Sequence, residues 1–116
     1  SAEGALQRNS IATAKMAFMD FVNAFPDHER APAAHLFLGG ILAREDSLEA
    51  ALEQYSVVVN RHPNAPEAAQ ALFRAAQIEK ERGNTDRARS LFNQLTAAYP
   101  TSPEAGVARD ELRSLR

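Results

Sequence analysis

Small and large apolar residues recur along the chain at helical spacing. Ala14, Phe18, Phe21 and Phe25 are separated by four, three and four positions, which places them on one face of an α-helix. The same face returns at Ala51, Tyr55, Val58 and His62, and again at Ala88, Phe92, Leu95 and Tyr99. Each set ends on an aromatic residue or histidine followed by proline, and Pro26, Pro63 and Pro100 stand 37 residues apart. Proline cannot continue a helix and restricts the residue before it, so each of these prolines ends a helix. A second proline opens the next helix, at Pro32, Pro66 and Pro103, because the first helical position does not need its N–H. Glu67 and Glu104 follow directly, where a negative charge complements the helix N-terminus. Ser102 is the expected N-cap of the last helix.

One period therefore holds two helices. The pattern predicts a short helix over about 2–8 and helices over about 11–25, 32–45, 48–62, 66–82, 86–99 and 103–115. Gly83-Asn84 breaks the chain within one period, with Gly83 suited to a left-handed stop. Asp46-Ser47 and Asn9-Ser10 occupy the matching positions and predict turns there as well. The connections are short, so neighbouring helices must pack antiparallel. The expected architecture is all-α: a single domain over 1–116 made of stacked antiparallel helix pairs. Its repeats run over about 1–26, 27–63 and 64–100, the first truncated, with a capping helix within 101–116. Alanine, the best helix former, supplies about a fifth of the residues, in keeping with that architecture.

Composition narrows the function. The 116 residues carry a net charge of −2, and no cysteine. The charge argues against a broad nucleic-acid footprint. Without cysteine there is no disulfide, iron–sulfur cluster, thiolate zinc site or thiol nucleophile. No apolar run approaches the roughly 18 residues that would insert in a membrane. Residues 1–60 sum to about −4 and residues 61–116 to about +2, too small an asymmetry to name a partner.

A small residue, a turn seven positions on, an alanine, an aromatic four later and then a proline make a pattern that resembles the tetratricopeptide repeat family. Gly39, Ala51, Tyr55 and Pro63 carry it in one repeat, and Ala76, Gly83, Ala88, Phe92 and Pro100 in the next. The chain departs from the common form in its longer period, and in His35 and Leu72, which stand where tryptophan is frequent. The phrase Tyr99-Pro100-Thr101-Ser102-Pro103-Glu104-Ala105 and the stretch from Val107 to Arg116 are similar to the C-terminal domain of YbgF/CpoB-type proteins of the bacterial Tol-Pal system. BamD-like outer-membrane assembly lipoproteins share the same phrase. The resemblance implies a helical solenoid acting as a non-catalytic adaptor, in the periplasm or elsewhere in the cell envelope, although a cytoplasmic location stays open. It implies TolA-like or outer-membrane assembly proteins as partners. The alternative is a regulatory or targeting segment of a larger protein or enzyme.

A repeat of this kind buries its apolar face only against its neighbours, so the aligned alanines and aromatics are expected in the core. The last helix, with Val107, Ala108, Leu112 and Leu115 among charged residues, reads as a cap with one solvated face. Helix 11–25 is apolar almost all round: Ile11, Met16, Phe18, Met19, Phe21, Val22 and Phe25. Something should cover it, either a continuation of the chain upstream or a second copy associating through this helix.

Candidate chemistry is sparse. His28, His35 and His62 have no metal-binding spacing, and His62 reads as a packing residue at a repeat junction. The carboxylates lie in mixed-charge helical stretches, which is the pattern of a solvated face. No catalytic, metal-binding or cofactor-binding residue is therefore assigned, and no cofactor is expected. Stacked helix pairs form a concave face lined mainly by the first helix of each repeat. Spacing of four places Leu36, Gly40 and Arg44 there on one helix. Phe73, Arg74, Gln77 and Lys80 lie there on the next, with Glu81 beside them and Gln70 at the edge; Asp110 and Ser114 extend the surface onto the cap. One aromatic residue among cations suits an extended peptide or a partner helix.

Overall fold

The computed structural model describes residues 2–115 of the chain, and their side chains from residue 4 onward. It contains six helices: α1 (Ala2–Ala24), α2 (Ala31–Arg44), α3 (Leu48–Arg61), α4 (Glu67–Glu81), α5 (Thr85–Ala98) and α6 (Pro103–Ser114). Each packs on the next in the chain, and α2 meets α4 and α4 meets α6 side by side. The result is a two-layered slab of 44 × 35 × 21 Å, with α2, α4 and α6 in one layer and α1, α3 and α5 in the other. Consecutive helix pairs thus stack as a solenoid, with α6 packed on α5 and α4.

The turns follow from local chemistry repeated in register. After α2 the chain stops at Asp46, whose φ is 62°, and after α4 at Gly83, whose φ is 83°. Ser47 N–H donates to the Leu42 carbonyl (2.8 Å) and Asn84 N–H to the Glu79 carbonyl (2.8 Å), the same six-residue closure in both places. The other helix ends are set by the X-Pro steps. His62 and Tyr99 both sit at φ −129° with ψ near 55° (54° and 57°), outside the helical region as the following proline demands. Ser102 caps α6, its Oγ accepting from Ala105 N–H at 3.1 Å. Pro103 opens α6 as the sequence implies, whereas Pro66 stands one place earlier, as the N-cap of α4.

The expected break at Asn9-Ser10 is absent. A single helix, α1, replaces the short helix over 2–8 and the helix over 11–25. Asn9 remains helical, and Thr13 Oγ1 donates to its carbonyl at 2.9 Å. A left-handed residue other than glycine costs about 1–2 kcal/mol, which the chain recovers where the two helices then pack on each other. Residues 5–10 offer one large apolar side chain, Leu6, and it is exposed. With little to gain from folding back, the helix runs on.

Three apolar clusters fill the space between layers. Val22, Ala34 and Leu38 join α1 to α2. Leu36, Ala51, Tyr55, Val58, Ala71 and Ile78 hold α2, α3 and α4 together. Leu72, Ala76, Phe92, Leu95 and Ala108 close α4, α5 and α6. The repeat register shows directly in burial. Ala51, Tyr55 and Val58 and their counterparts Ala88, Phe92 and Leu95 are buried, each burial of a large side chain contributing ~1.5–3 kcal/mol. Ala14, Phe18 and Phe21, at the same register, are only half-buried, because α2 alone packs on α1. The apolar character expected around helix 11–25 is accordingly visible as exposed Ile11, Met16, Met19 and Phe25.

Candidate functional site: an apolar groove between α2 and α4

The layer formed by α2, α4 and α6 carries a groove of about 510 Å³ between α2 and α4. Its floor is Leu36, Ile41, Tyr55 and Ile78, all buried or half-buried. Gly40 and Ala43 leave α2 thin at this point, and Phe37 and Phe73 stand at its sides. Phe37 is 58% exposed although it stacks on Phe18 with ring centroids 5.4 Å apart. Phe73 is half-buried and packs edge-on against Phe92 at 5.9 Å. An exposed aromatic ring held from behind by another ring loses little conformational freedom when a partner covers it.

Polar groups ring this apolar floor. Arg44, Arg74, Gln77 and Glu81 line the groove. Arg74 reaches across from α4, so that a β-carbon on Gly40 would lie 3.6 Å from its Nη1. The paired glycines of α2 have different duties. A β-carbon on Gly39 would fall 2.4 Å from Cε1 of Tyr55, so Gly39 exists to admit that ring into the core. Gly40, beside it, faces the groove and keeps it open.

The structure brings together seven of the residues expected on or beside the concave face: Leu36, Gly40, Arg44, Phe73, Arg74, Gln77 and Glu81. Lys80 is not among the lining residues. Its Nζ bonds Glu111 Oε2 of α6 at 2.5 Å, because the closing cap supplies a carboxylate within reach. Asp110 pairs with Arg113 one turn on, and Ser114 donates to the Glu111 carbonyl, so both are satisfied within the cap. Gln70 belongs to a second, adjoining depression with Phe73, Arg74, Pro103, Glu104 and Val107. Sequence reasoning missed Phe37 and Ile41. Steps of four from Leu36 reach only 40 and 44, while the lining on α2 also takes in 37 and 41, one place further round the same face; an exposed aromatic residue at that spacing is the signal that identifies it.

The histidines lie elsewhere. His28 is exposed, its Nδ1 accepting from Arg30 N–H at 3.0 Å. His35 is buried and bonds Gln54 Oε1 at 2.7 Å. His62 sits 6.4 Å from His35, ring to ring, with a buried Nε2 that has no hydrogen-bond partner. Burial lowers the His62 pKa, helped by neighbouring His35 and Arg61, while Asp27 and the Pro26 carbonyl oppose the shift. Its position matches Tyr99, whose hydroxyl donates to the Pro63 carbonyl at 2.5 Å; both residues seal a junction between repeats. Among the described residues no three His, Asp or Glu side chains converge as a metal site, and no helix is long and apolar enough to cross a membrane.

Residues 2–66 match a family model described as a tetratricopeptide repeat, and residues 70–102 match a second model of the same description. No curated protein matches the chain.

Proposed function

The chain belongs to the tetratricopeptide repeat family, whose repeats form protein–protein interaction modules, and we propose that it is a non-catalytic adaptor of the bacterial cell envelope. It binds a peptide or partner helix in the groove between α2 and α4. The observation that carries this reading is the groove itself: an apolar floor, two aromatic side walls and a ring of polar groups, the composition of a peptide-binding surface. The envelope part rests on the stretches Tyr99–Ala105 and Val107–Arg116, which resemble the YbgF/CpoB-type domains; TolA-like or outer-membrane assembly proteins are the partners this suggests.

Capture from an envelope extract of the source organism tests it, with wild type beside Gly40→Leu, which fills the groove from its half-buried place in the lining. Recovery of a Tol or outer-membrane assembly protein by wild type alone is the expected result. Equal recovery by both would remove the groove and keep the adaptor. Recovery only from cytoplasmic extract would overturn the envelope assignment.

A second reading, a regulatory or targeting segment of a larger protein, is favoured by α1. Its Phe18 and Phe21 are half-buried where the matching residues are covered, and Met16 and Met19 are 65% and 46% exposed. The same surface would serve self-association, and a monomer in sedimentation at high concentration would discard that use of it.

A further inference from the structure

We infer that the groove selects an acidic segment carrying two apolar anchors. The inference deepens the groove reading above and rests on it.

The first observation concerns charge. Lys15, Arg61, Lys80, Arg82, Arg87, Arg89 and Arg113 are ion-paired, and Arg109 donates to the Pro100 carbonyl. Among the described residues, the side chains of Arg8, Arg30, Arg44 and Arg74 have neither an ion pair nor a hydrogen bond. Two of these four, Arg44 and Arg74, line the same groove. They come from facing helices and stand over an apolar floor, where a carboxylate would meet two guanidinium groups in partly desolvated surroundings. Gly40 between them lets a ligand backbone come close to α2. Glu81, in the same lining, lies one turn beyond Gln77 on α4 and leaves the groove with a net positive charge.

The second observation concerns shape. The adjoining depression between α4 and α6 shares Phe73 and Arg74 with the groove and adds Val107, which is 47% exposed. Phe73 and Arg74 form the ridge between two apolar subsites, one beside Phe37 and Ile41, the other beside Val107. Packed helices lie about 8–10 Å apart, and a chain in the polyproline II conformation advances about 3.1 Å per residue with three residues per turn, so every third side chain returns to the same face. The subsites therefore take apolar side chains roughly three residues apart, with the acidic residue near the Arg44 side. Glu104 lines the second depression and keeps the acid from binding there.

The test is selection of a phage-displayed random peptide library on the wild-type chain. Selected peptides are then measured on Arg44→Glu/Arg74→Glu, on Gly40→Leu, and on Lys80→Ala as a cation outside the groove. The expected peptides carry Asp or Glu beside two apolar residues at that spacing. They bind the double charge reversal at least about tenfold more weakly, fail on Gly40→Leu and are indifferent to Lys80→Ala. Peptides that fail on Gly40→Leu but lack an acid, or ignore the charge reversal, would overturn the inference and leave the groove standing. Peptides indifferent to Gly40→Leu, or no selection at all, would overturn both.

Discussion

Gly39 and Gly40 are neighbours in one helix, and replacing each by alanine is expected to move stability in opposite directions. Helix propensity favours both changes by about 1 kcal/mol. At Gly40 nothing opposes that gain. The added β-carbon meets only the mobile end of Arg74, at 3.6 Å, which is ordinary contact. At Gly39 the new atom would lie 2.4, 2.7 and 2.9 Å from Cε1, Cζ and Cδ1 of Tyr55. Carbon atoms prefer about 3.5–4.0 Å, so the ring must retreat by about 1 Å. It has little room, since Tyr55 is 2% exposed and sits among Leu36, Ala51, Val58 and Ile78. Overpacking of this kind costs about 1–3 kcal/mol, and so close an approach belongs at or above the upper end. The net is a loss of about 2 kcal/mol for Gly39→Ala against a gain of up to about 1 kcal/mol for Gly40→Ala. A chain of this size shifts its Tm by about 4 °C per kcal/mol. Thermal unfolding followed by circular dichroism should therefore separate the two variants by about 12 °C. Adding Tyr55→Leu should recover part of the Gly39→Ala loss, a favourable coupling of about 1 kcal/mol or more. Equal melting of the two alanine variants, or no coupling with Tyr55, would refute the packing argument.

Two other expectations follow from single contacts. Burial holds the His62 pKa below its ordinary 6.5, so the unfolded chain takes up a proton before the folded one does. The stability tied to this residue is complete above about pH 6.5 and is lost as pH falls below it. Melts at neutral and mildly acid pH should show that loss, and His62→Tyr, which installs the residue found at the matching Tyr99, should reduce it. An unchanged pH slope would assign acid sensitivity to other groups. Ser102→Ala removes the acceptor for Ala105 N–H and should cost about 1 kcal/mol in chemical denaturation, with Ser102→Asp restoring most of it; no loss would mean that water replaces the cap.

Much of the architecture was legible because it is written in short-range rules. Proline steps, small turn residues and the four-three-four spacing act over a few residues, and each acts the same way wherever it recurs. Five of the six helices begin and end within a residue or so of the sequence expectation for this reason. The first helix is the exception. Asn9 has the turn chemistry of Asp46 and Gly83, but a turn is stable only when the segment before it has a face to bury, and residues 5–10 have almost none.

The groove divides in the same way. Helical periodicity by itself determined that α2 and α4 present residues to a common surface, and it located seven of those that line it. Only the tertiary structure decided which cations remain available there. Arg44 and Arg74 line the groove without an ion pair, while Lys80, with equal claim by spacing, is taken by Glu111 from a helix some thirty residues away. It also distinguished Gly39, spent on admitting Tyr55, from Gly40, which opens the groove. Spacing along a helix fixes direction, but the competition among long side chains for partners, and of rings for space, is settled by groups distant in sequence.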